Sequence, residues 1–351
     1  SQEISGSYTQ RRRNACGEAD RIRLARLFCG MIGEKERKMS ISFYIKNKKG
    51  LIGYKKPMKV WQCLEVPGYD LDQFSFDEDA EDFNEKKFLK SSIADYDSLS
   101  LGRYLITSRG FELSFDKELN QYSVRLATPS TWEDWRCALY YIEKLAEKMD
   151  SNITNERGEH FTVESIRKYD CEEDILSGLR LCLERYNLEK DDDGFITFGH
   201  IREVALNKEL IEGFLASEKP VKAFSKFYRD VQWKYLDACP AEQRFFGHKE
   251  TGEVKGVYAL YQNEKTILPF KPFVELKNIE ITTNEEVKSW EIALFFSDGD
   301  PDDSDSYSFA GEMKYSDFIE KLPKEKYKFI DALYIVVKKF KKREILALLK
   351  E

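Results

Sequence analysis

Residues 110–115 and 122–127 alternate between apolar and polar side chains, and only a short turn, Asp116-Lys117-Glu118-Leu119-Asn120, separates them. Successive side chains on a strand point to opposite faces, so a period of two means one buried face and one wet face. Paired as an antiparallel hairpin, Phe111, Leu113 and Phe115 share a face with Tyr122, Val124 and Leu126. Pro129 ends the second strand. Ser130-Thr131-Trp132-Glu133 then has the capping-box pattern, in which the Ser130 hydroxyl accepts an early helix N–H and Glu133 reaches back to the cap. The helix that follows is expected to run to Met149, with Trp132, Trp135, Leu139, Ile142, Leu145 and Ala146 at helical spacing. A sheet with one apolar face and a helix with one apolar stripe can bury themselves against each other. The chain is therefore expected to be α+β, with antiparallel strands and hairpins packed against a few amphipathic helices.

The remaining pattern fits that class. Residues 40–47 alternate at Ile41, Phe43 and Ile45 and read as a half-buried strand, whereas 58–62 suits a strand or a short helix. A hairpin is expected over 152–163 around Arg157-Gly158, and amphipathic helices over 172–186 and 219–236. Strands are expected over 254–261, 265–268, 279–283 and 287–297. A helix over 315–322, a strand over 329–337 and a helix over 342–350 close the chain; 195–205 is ambiguous. Trp135-x-x-Ala138-Leu139 is echoed by Trp290-x-x-Ala293-Leu294, but one copy has helical and the other extended periodicity, so no repeat is read. At 351 residues the length suggests roughly two domains, and 14% aromatic residues are ample material for a core. The expected domains are 39–205 and 206–351, or one continuous domain.

Residues 1–38 differ from the rest. They hold seven arginines and two lysines, against 12 arginines and 35 lysines in the remaining 313 residues. Gly33-Glu34-Lys35-Glu36-Arg37-Lys38, just before Met39, can be encoded by purines alone, as a bacterial ribosome-binding site is. Residues 1–38 are accordingly expected to be non-native leader sequence and Met39 the native start; a basic N-terminal extension is the other reading. Without those nine basic and five acidic residues the net charge moves from −7 to −11. An acidic chain repels phosphate, so no nucleic-acid partner is expected. No window approaches the roughly 20 apolar residues of a membrane span, so no membrane is expected either. Seven scattered cysteines, odd in number and without a CxxC, fit reduced thiols in a cytoplasmic protein.

Few motifs point to chemistry. There is no GxSxG, GxxxxGK[ST] or GxGxxG, and His160, His200 and His248 have no metal-site spacing. No catalytic residue and no cofactor is assigned. The run Glu189-Lys190-Asp191-Asp192-Asp193-Gly194-Phe195-Ile196-Thr197-Phe198-Gly199-His200 resembles the calcium loop of the EF-hand family. Glu189, Asp191 and Asp193 fall at its first, third and fifth positions and Gly194 at its sixth. It departs at its ends: Glu189 replaces the short Asp, and His200 stands where a bidentate carboxylate belongs. Glu189, Asp191 and Asp193 are candidate ligands for weak Ca²⁺ binding; the preferred reading is an Asp-Gly turn into a strand over 195–198. The acidic run 298–305 reads as a solvated turn. Gly50-Leu51-Ile52-Gly53 resembles the GXXG loop of KH domains, but its flanks are strand-like where that family has helices. Trp132, Trp135, Tyr140 and Tyr141 either line a pocket or, the preferred reading, belong to the core.

Three blocks together carry a wider resemblance: Met39-Ser-Ile-Ser-Phe-Tyr-Ile-Lys-Asn-Lys-Lys-Gly50, Arg109-Gly110-Phe111-Glu112-Leu113-Ser114-Phe115 through Thr128-Pro129-Ser130-Thr131-Trp132-Glu133-Asp134-Trp135, and Glu173-Asp174-Ile175-Leu176-Ser177-Gly178. On these the chain resembles the bacterial domain-of-unknown-function family 4299 over most of residues 39–351. The resemblance implies no activity and lends no functional residue; it agrees with Met39 as the start. The expected function is that of a cytoplasmic, non-enzymatic binding protein with an unidentified protein partner. An enzyme whose site is assembled from dispersed residues is the alternative.

Overall fold

The computed structural model describes residues 40–76, 83–189, 195–247, 253–275, 278–297 and 306–350; the expected leader lies outside them. The fold is α+β, and the described residues form two compact units divided between Lys234 and Tyr235.

The N-terminal unit begins with β1 (Ser40–Lys46), α1 (Val60–Leu64), β2 (Asp72–Gln73), α2 (Glu85–Lys90), β3 (Leu99–Gly102), β4 (Phe111–Asp116) and β5 (Gln121–Ala127). There follow α3 (Trp132–Met149), β6 (Ile153–Asn155), β7 (His160–Phe161), α4 (Val163–Ile166) and α5 (Cys171–Glu189). Seven strands form one antiparallel sheet, in the order β2-β3-β4-β5-β1-β6-β7. The expected hairpin has Leu113 opposite Val124 and Phe115 opposite Tyr122. β1 pairs with the other side of β5, with Ile41, Phe43 and Ile45 opposite Leu126, Val124 and Tyr122. All these side chains are buried, each contributing about 1.5–3 kcal/mol by leaving water. α3 covers them: Trp135 meets Phe43 edge-on at 6.5 Å, and Tyr141 meets Phe111 at 4.9 Å. The reverse face is polar, with Arg125 paired to Glu112 at 2.8 Å.

The cap of α3 differs from the expected one. Thr131 is the N-cap and Asp134 the residue that reaches back, one position later than Ser130 and Glu133. Asp134 is fully buried. Its Oδ2 accepts from the Thr131 N–H (2.9 Å) and hydroxyl (2.7 Å), while Oδ1 accepts from the N–H groups of Ser108 (2.8 Å), Arg109 (3.0 Å) and Gly110 (2.8 Å). Those three donors lie on a distant loop and select the residue that faces them. Gly110 has φ +62, and a Cβ there would sit 2.0 Å from the Leu101 carbonyl oxygen, so only glycine lets the loop approach. Ser130 instead donates to the Ala127 carbonyl.

The ambiguous 195–205 segment is a two-stranded hairpin, β8 (Phe195–Phe198) and β9 (Glu203–Leu206). Helices α6 (Lys208–Leu215), which the sequence pattern did not suggest, and α7 (Pro220–Trp233) follow. Ile211, Phe214, Phe224, Tyr228 and Val231 from these helices enter the N-terminal core. The units consequently divide after residue 234, and not at the 205/206 boundary expected from sequence.

The C-terminal unit has β10 (Cys239–Pro240), β11 (Gln243–Gly247), β12 (Val254–Tyr261), β13 (Thr266–Pro269), β14 (Val287–Ser297), β15 (Tyr307–Lys314), α8 (Tyr315–Lys321), β16 (Tyr327–Phe329), β17 (Tyr334–Val337) and α9 (Lys342–Leu348). They form two four-stranded sheets, β11-β12-β14-β15 and β10-β13-β17-β16. Tyr258, Leu260, Ile292 and Leu294 share a core with Phe318, Val337 and Ile345. Two expectations fail here. Residues 279–283 are not a strand: the Ile281 N–H closes a turn onto the Asn278 carbonyl (2.9 Å) and its side chain is exposed. The strand expected over 329–337 is broken in two because Asp331 Oδ1 accepts from the N–H groups of Leu333 (2.9 Å) and Tyr334 (2.7 Å), making a side-chain turn.

Asp134→Ala leaves the buried donors of 108–110 unsatisfied and should cost on the order of 3 kcal/mol in urea denaturation. Burial pushes the thiols of Cys63 and Cys182 from an ordinary 9.0 up to about 12, and those of Cys137 and Cys171 to about 11. In the unfolded chain these thiols ionise near 9.0, so raising pH from there toward about 12 releases protons from the unfolded state first. Stability contributed by these groups should be constant below pH 9 and fall above it, measured as the urea midpoint against pH.

Candidate functional site

Glu189 is the last residue of α5, whereas Asp191, Asp193 and the acidic run 298–305 lie outside the described residues. His200, the twelfth position of the calcium-like loop, is buried. Its ring stacks on Phe74 at 3.7 Å and its Nε2 lies 3.0 Å from the Thr107 hydroxyl; it belongs to the N-terminal core. Among the described residues no three His, Cys, Asp or Glu side chains gather where a metal could sit. Gly50–Gly53 makes a tight loop rather than a helix–loop–helix clamp. The aromatic cluster on α3 splits: Trp135 and Tyr141 are buried, while Trp132 and Tyr140 lie at the surface, Tyr140 stacked on Tyr69 at 5.7 Å.

A different surface stands out, on the sheet β11-β12-β14-β15. Strand alternation sends Tyr258, Leu260, Ile292 and Leu294 into the C-terminal core. Lys255, Val257, Ala259, Tyr261, Ala293 and Phe295 therefore line the opposite face, which forms an open cleft of about 1120 Å³. Its floor is small and apolar: Val257, Ala259 and Ala293 are each below 9% exposed. Four rings cross three strands as a ladder. Tyr261 stacks on Phe295 at 5.0 Å and meets Tyr307 edge-on at 4.9 Å, and Phe295 meets Phe309 at 5.8 Å. The register Tyr261–Phe295–Phe309 across β12, β14 and β15 produces this contact. Phe309 and Phe246 remain 59% and 51% exposed.

Three of the cations around the floor are paired with carboxylates. Arg244 binds Glu242 at 2.7 Å, Lys255 binds Glu291 at 2.7 Å and Glu312 at 3.4 Å, and Lys265 binds Asp237. The Tyr307 hydroxyl donates to Glu264 at 2.7 Å. Hydrogen bonding to Glu291 holds the Lys255 ammonium above its ordinary pKa, and that to Glu242 does the same for Arg244. Burial, with Glu242 adding to it, pushes Tyr261 up to about 12, and burial raises Tyr307 and Cys239. Each of these groups keeps its proton at neutral pH. The arrangement suits recognition through ring faces and a small-residue floor. Tyr261 and Phe295 are read from sequence only as strand residues. Tyr307 and Phe309 had an available signal, the alternation Ser306-Tyr307-Ser308-Phe309, hidden behind the acidic run that precedes it.

A family model described as Domain of unknown function (DUF4299) matches residues 40–348, and the chain belongs to that family. No curated protein and no solved structure matches it significantly.

With His200 tied to Thr107 and Phe74, millimolar Ca²⁺ should leave the melting temperature unchanged. A rise abolished by Asp191→Asn would show instead that the 189–193 loop holds the ion.

Proposed function

We propose that this chain is a non-enzymatic binding protein, and that it holds a protein partner on the aromatic cleft of its C-terminal unit. The observation that carries the reading is the pair Phe309 and Phe246, held half-exposed beside a floor of small apolar residues. Exposed rings around an apolar floor with a charged rim are the composition of protein-binding hot spots. The cleft is open, and at about 1120 Å³ it lies at the upper end of small-molecule pockets; its openness favours a segment of a macromolecule. Three of its four lining cations, Arg244, Lys255 and Lys265, already have carboxylate partners, which disfavours a polyanion such as nucleic acid. Tyr261, Tyr307, Cys239, Lys255 and Arg244 are all pushed further above neutrality, a poor basis for proton transfer at physiological pH.

The setting we propose is the cytoplasm. Five described cysteines are free thiols, four of them buried, and no helix among the described residues is long and apolar enough to cross a membrane. The test is affinity capture from host extract with the full chain and with Phe246→Ala/Phe309→Ala. Because both rings are exposed, the variant should keep the parent melting temperature within a few degrees and lose at least about tenfold in retained partner. Equal capture by the two proteins would refute the assignment of this face.

A further inference from the structure

Beyond Lys46, β1 continues into a pinned loop. The Gly50 N–H donates to the Gly53 carbonyl at 2.8 Å, Lys55 N–H to the Lys48 carbonyl at 2.8 Å, and the Asn47 side-chain amide to the Lys55 carbonyl at 2.6 Å. Gly53 has φ +72, which closes the turn. Leu51 and Ile52, at its tip, are 108% and 97% exposed, the most exposed large hydrophobic residues among those described. Lys46, Lys49, Lys55 and Lys56 are exposed around them and Lys48 half-buried; residues 40–64 contain no carboxylate side chain. None of these five lysines makes an ion pair among the described residues, although Lys46 Nζ donates to the Leu119 carbonyl at 3.0 Å. That bond, with the Asn47 N–H on the Asn120 carbonyl (2.9 Å), brings the turn of the β4–β5 hairpin alongside. It adds Leu119, 53% exposed, and Lys117 to the same end of the sheet. Asp116 there commits its carboxylate to the Glu118 and Leu119 N–H groups (2.9 and 2.8 Å), leaving Glu118 as the one exposed acid on the turn.

We propose that this end of the sheet docks on an anionic lipid surface. Leu51 and Ile52 enter the boundary between headgroups and acyl chains, and the lysines lie at the level of the phosphates. Each half of the feature supplies what the other lacks. Aliphatic side chains alone give weak, unspecific attachment, and lysines alone give attachment that salt removes. A nucleic-acid backbone would match the lysines but has no use for a fully exposed aliphatic pair; single strands are gripped by several stacked aromatics, and this loop carries one ring, Tyr54, 39% exposed and away from the tip. Tip-to-tip pairing of two copies would bring like charges together. The chain as a whole carries −7, so an anionic surface repels its bulk and admits it in one orientation. Surface docking needs no spanning helix; it departs from the sequence expectation of no membrane, which rested on the lack of a span.

The test is co-sedimentation of the full chain with vesicles of phosphatidylcholine alone and with about one-third phosphatidylserine. Residues 1–38 contribute the same arginines to every variant, so the readout is the difference between variants. The parent chain should pellet with the phosphatidylserine vesicles and much less with phosphatidylcholine. Leu51→Ser/Ile52→Ser should weaken binding at least about tenfold. Replacing Lys48, Lys49, Lys55 and Lys56 by Gln should weaken it about fivefold per lysine, with a smaller salt dependence. All of these side chains but the half-buried Lys48 are exposed, and none makes an ion pair among the described residues, so melting temperatures should not move. The proposal is overturned if the parent chain shows no preference for phosphatidylserine, or if Leu51→Ser/Ile52→Ser binds as the parent does. It is also overturned if single-stranded RNA displaces the vesicles with the same lysine dependence, which would mark a polyanion site. Self-association lost in the Leu51→Ser/Ile52→Ser variant, read by sedimentation without vesicles, would assign the tip to a second copy instead.

Discussion

The Asp134 carboxylate accepts five hydrogen bonds in a site closed to water, and the N-terminal unit is assembled around it. Two come from the cap of its own helix and three from the 108–110 loop, so one side chain starts α3 and holds the loop that leads into β4. The loop then gathers later parts of the chain. The Ser108 carbonyl accepts from the His200 N–H at 2.8 Å, and the Thr107 carbonyl from the Trp233 indole N–H at 2.8 Å. The Arg109 guanidinium donates to the carbonyls of Phe198 (2.9 Å) and Pro129 (2.6 Å). The β8–β9 hairpin and α7 are thus fastened to the same few backbone groups as α3. That is why residues 208–233 fold with the N-terminal sheet although they follow it by a long interval in sequence. Buried amides and carbonyls need partners, and a loop with this many unpaired groups fixes whatever supplies them.

The two surfaces singled out above differ in how their charges are treated. On the aromatic cleft the cations named are paired and the rings contact one another, so what remains for a partner is ring surface and a small-residue floor. Around Leu51 and Ile52 no lysine has an ionic partner among the described residues, so both charge and apolar surface remain available. Paired charge contributes little net attraction to a polyanion, whereas a cluster of unpaired lysines raises the local potential. On that difference rest the two proposals, a protein segment for the cleft and a lipid surface for the loop. They lie in different units, and each stands without the other.

Much of the architecture was legible in sequence because periodicity is local. Ile41, Phe43 and Ile45, the β4–β5 hairpin, α3, α5 and α7, and the strands over 254–261 and 287–297 all announce themselves by which residues repeat at two or at 3.6. What failed did so where a distant or polar partner decides. Thr131 and Asp134 replace Ser130 and Glu133 at the cap because the competing donors belong to residues 108–110. Asp331 breaks a run of strand-forming residues by hydrogen-bonding its neighbours' amides. Residues 279–283 have strand-like side chains but Asn278 ties them into a turn. β15 was missed because an acidic run masks its short alternation. The candidate cleft was not legible at all: nothing in the order of residues places Tyr261, Phe295 and Phe309 side by side.

By itself the sequence determined the fold class, the hairpin and its facing residues, the helices with clear stripes, and the family to which the chain belongs. These depend on side-chain spacing along one element, which a linear pattern contains. The tertiary structure alone decided where the units divide, which carboxylate caps α3, and that His200 is a core residue. It also decided that Phe246 and Phe309 flank a cleft and that Leu51 and Ile52 stand in water. Each of these is a matter of which groups from separate elements share a burial site or are left without one. That is settled by packing and by the satisfaction of buried hydrogen bonds, and neither has a period along the chain.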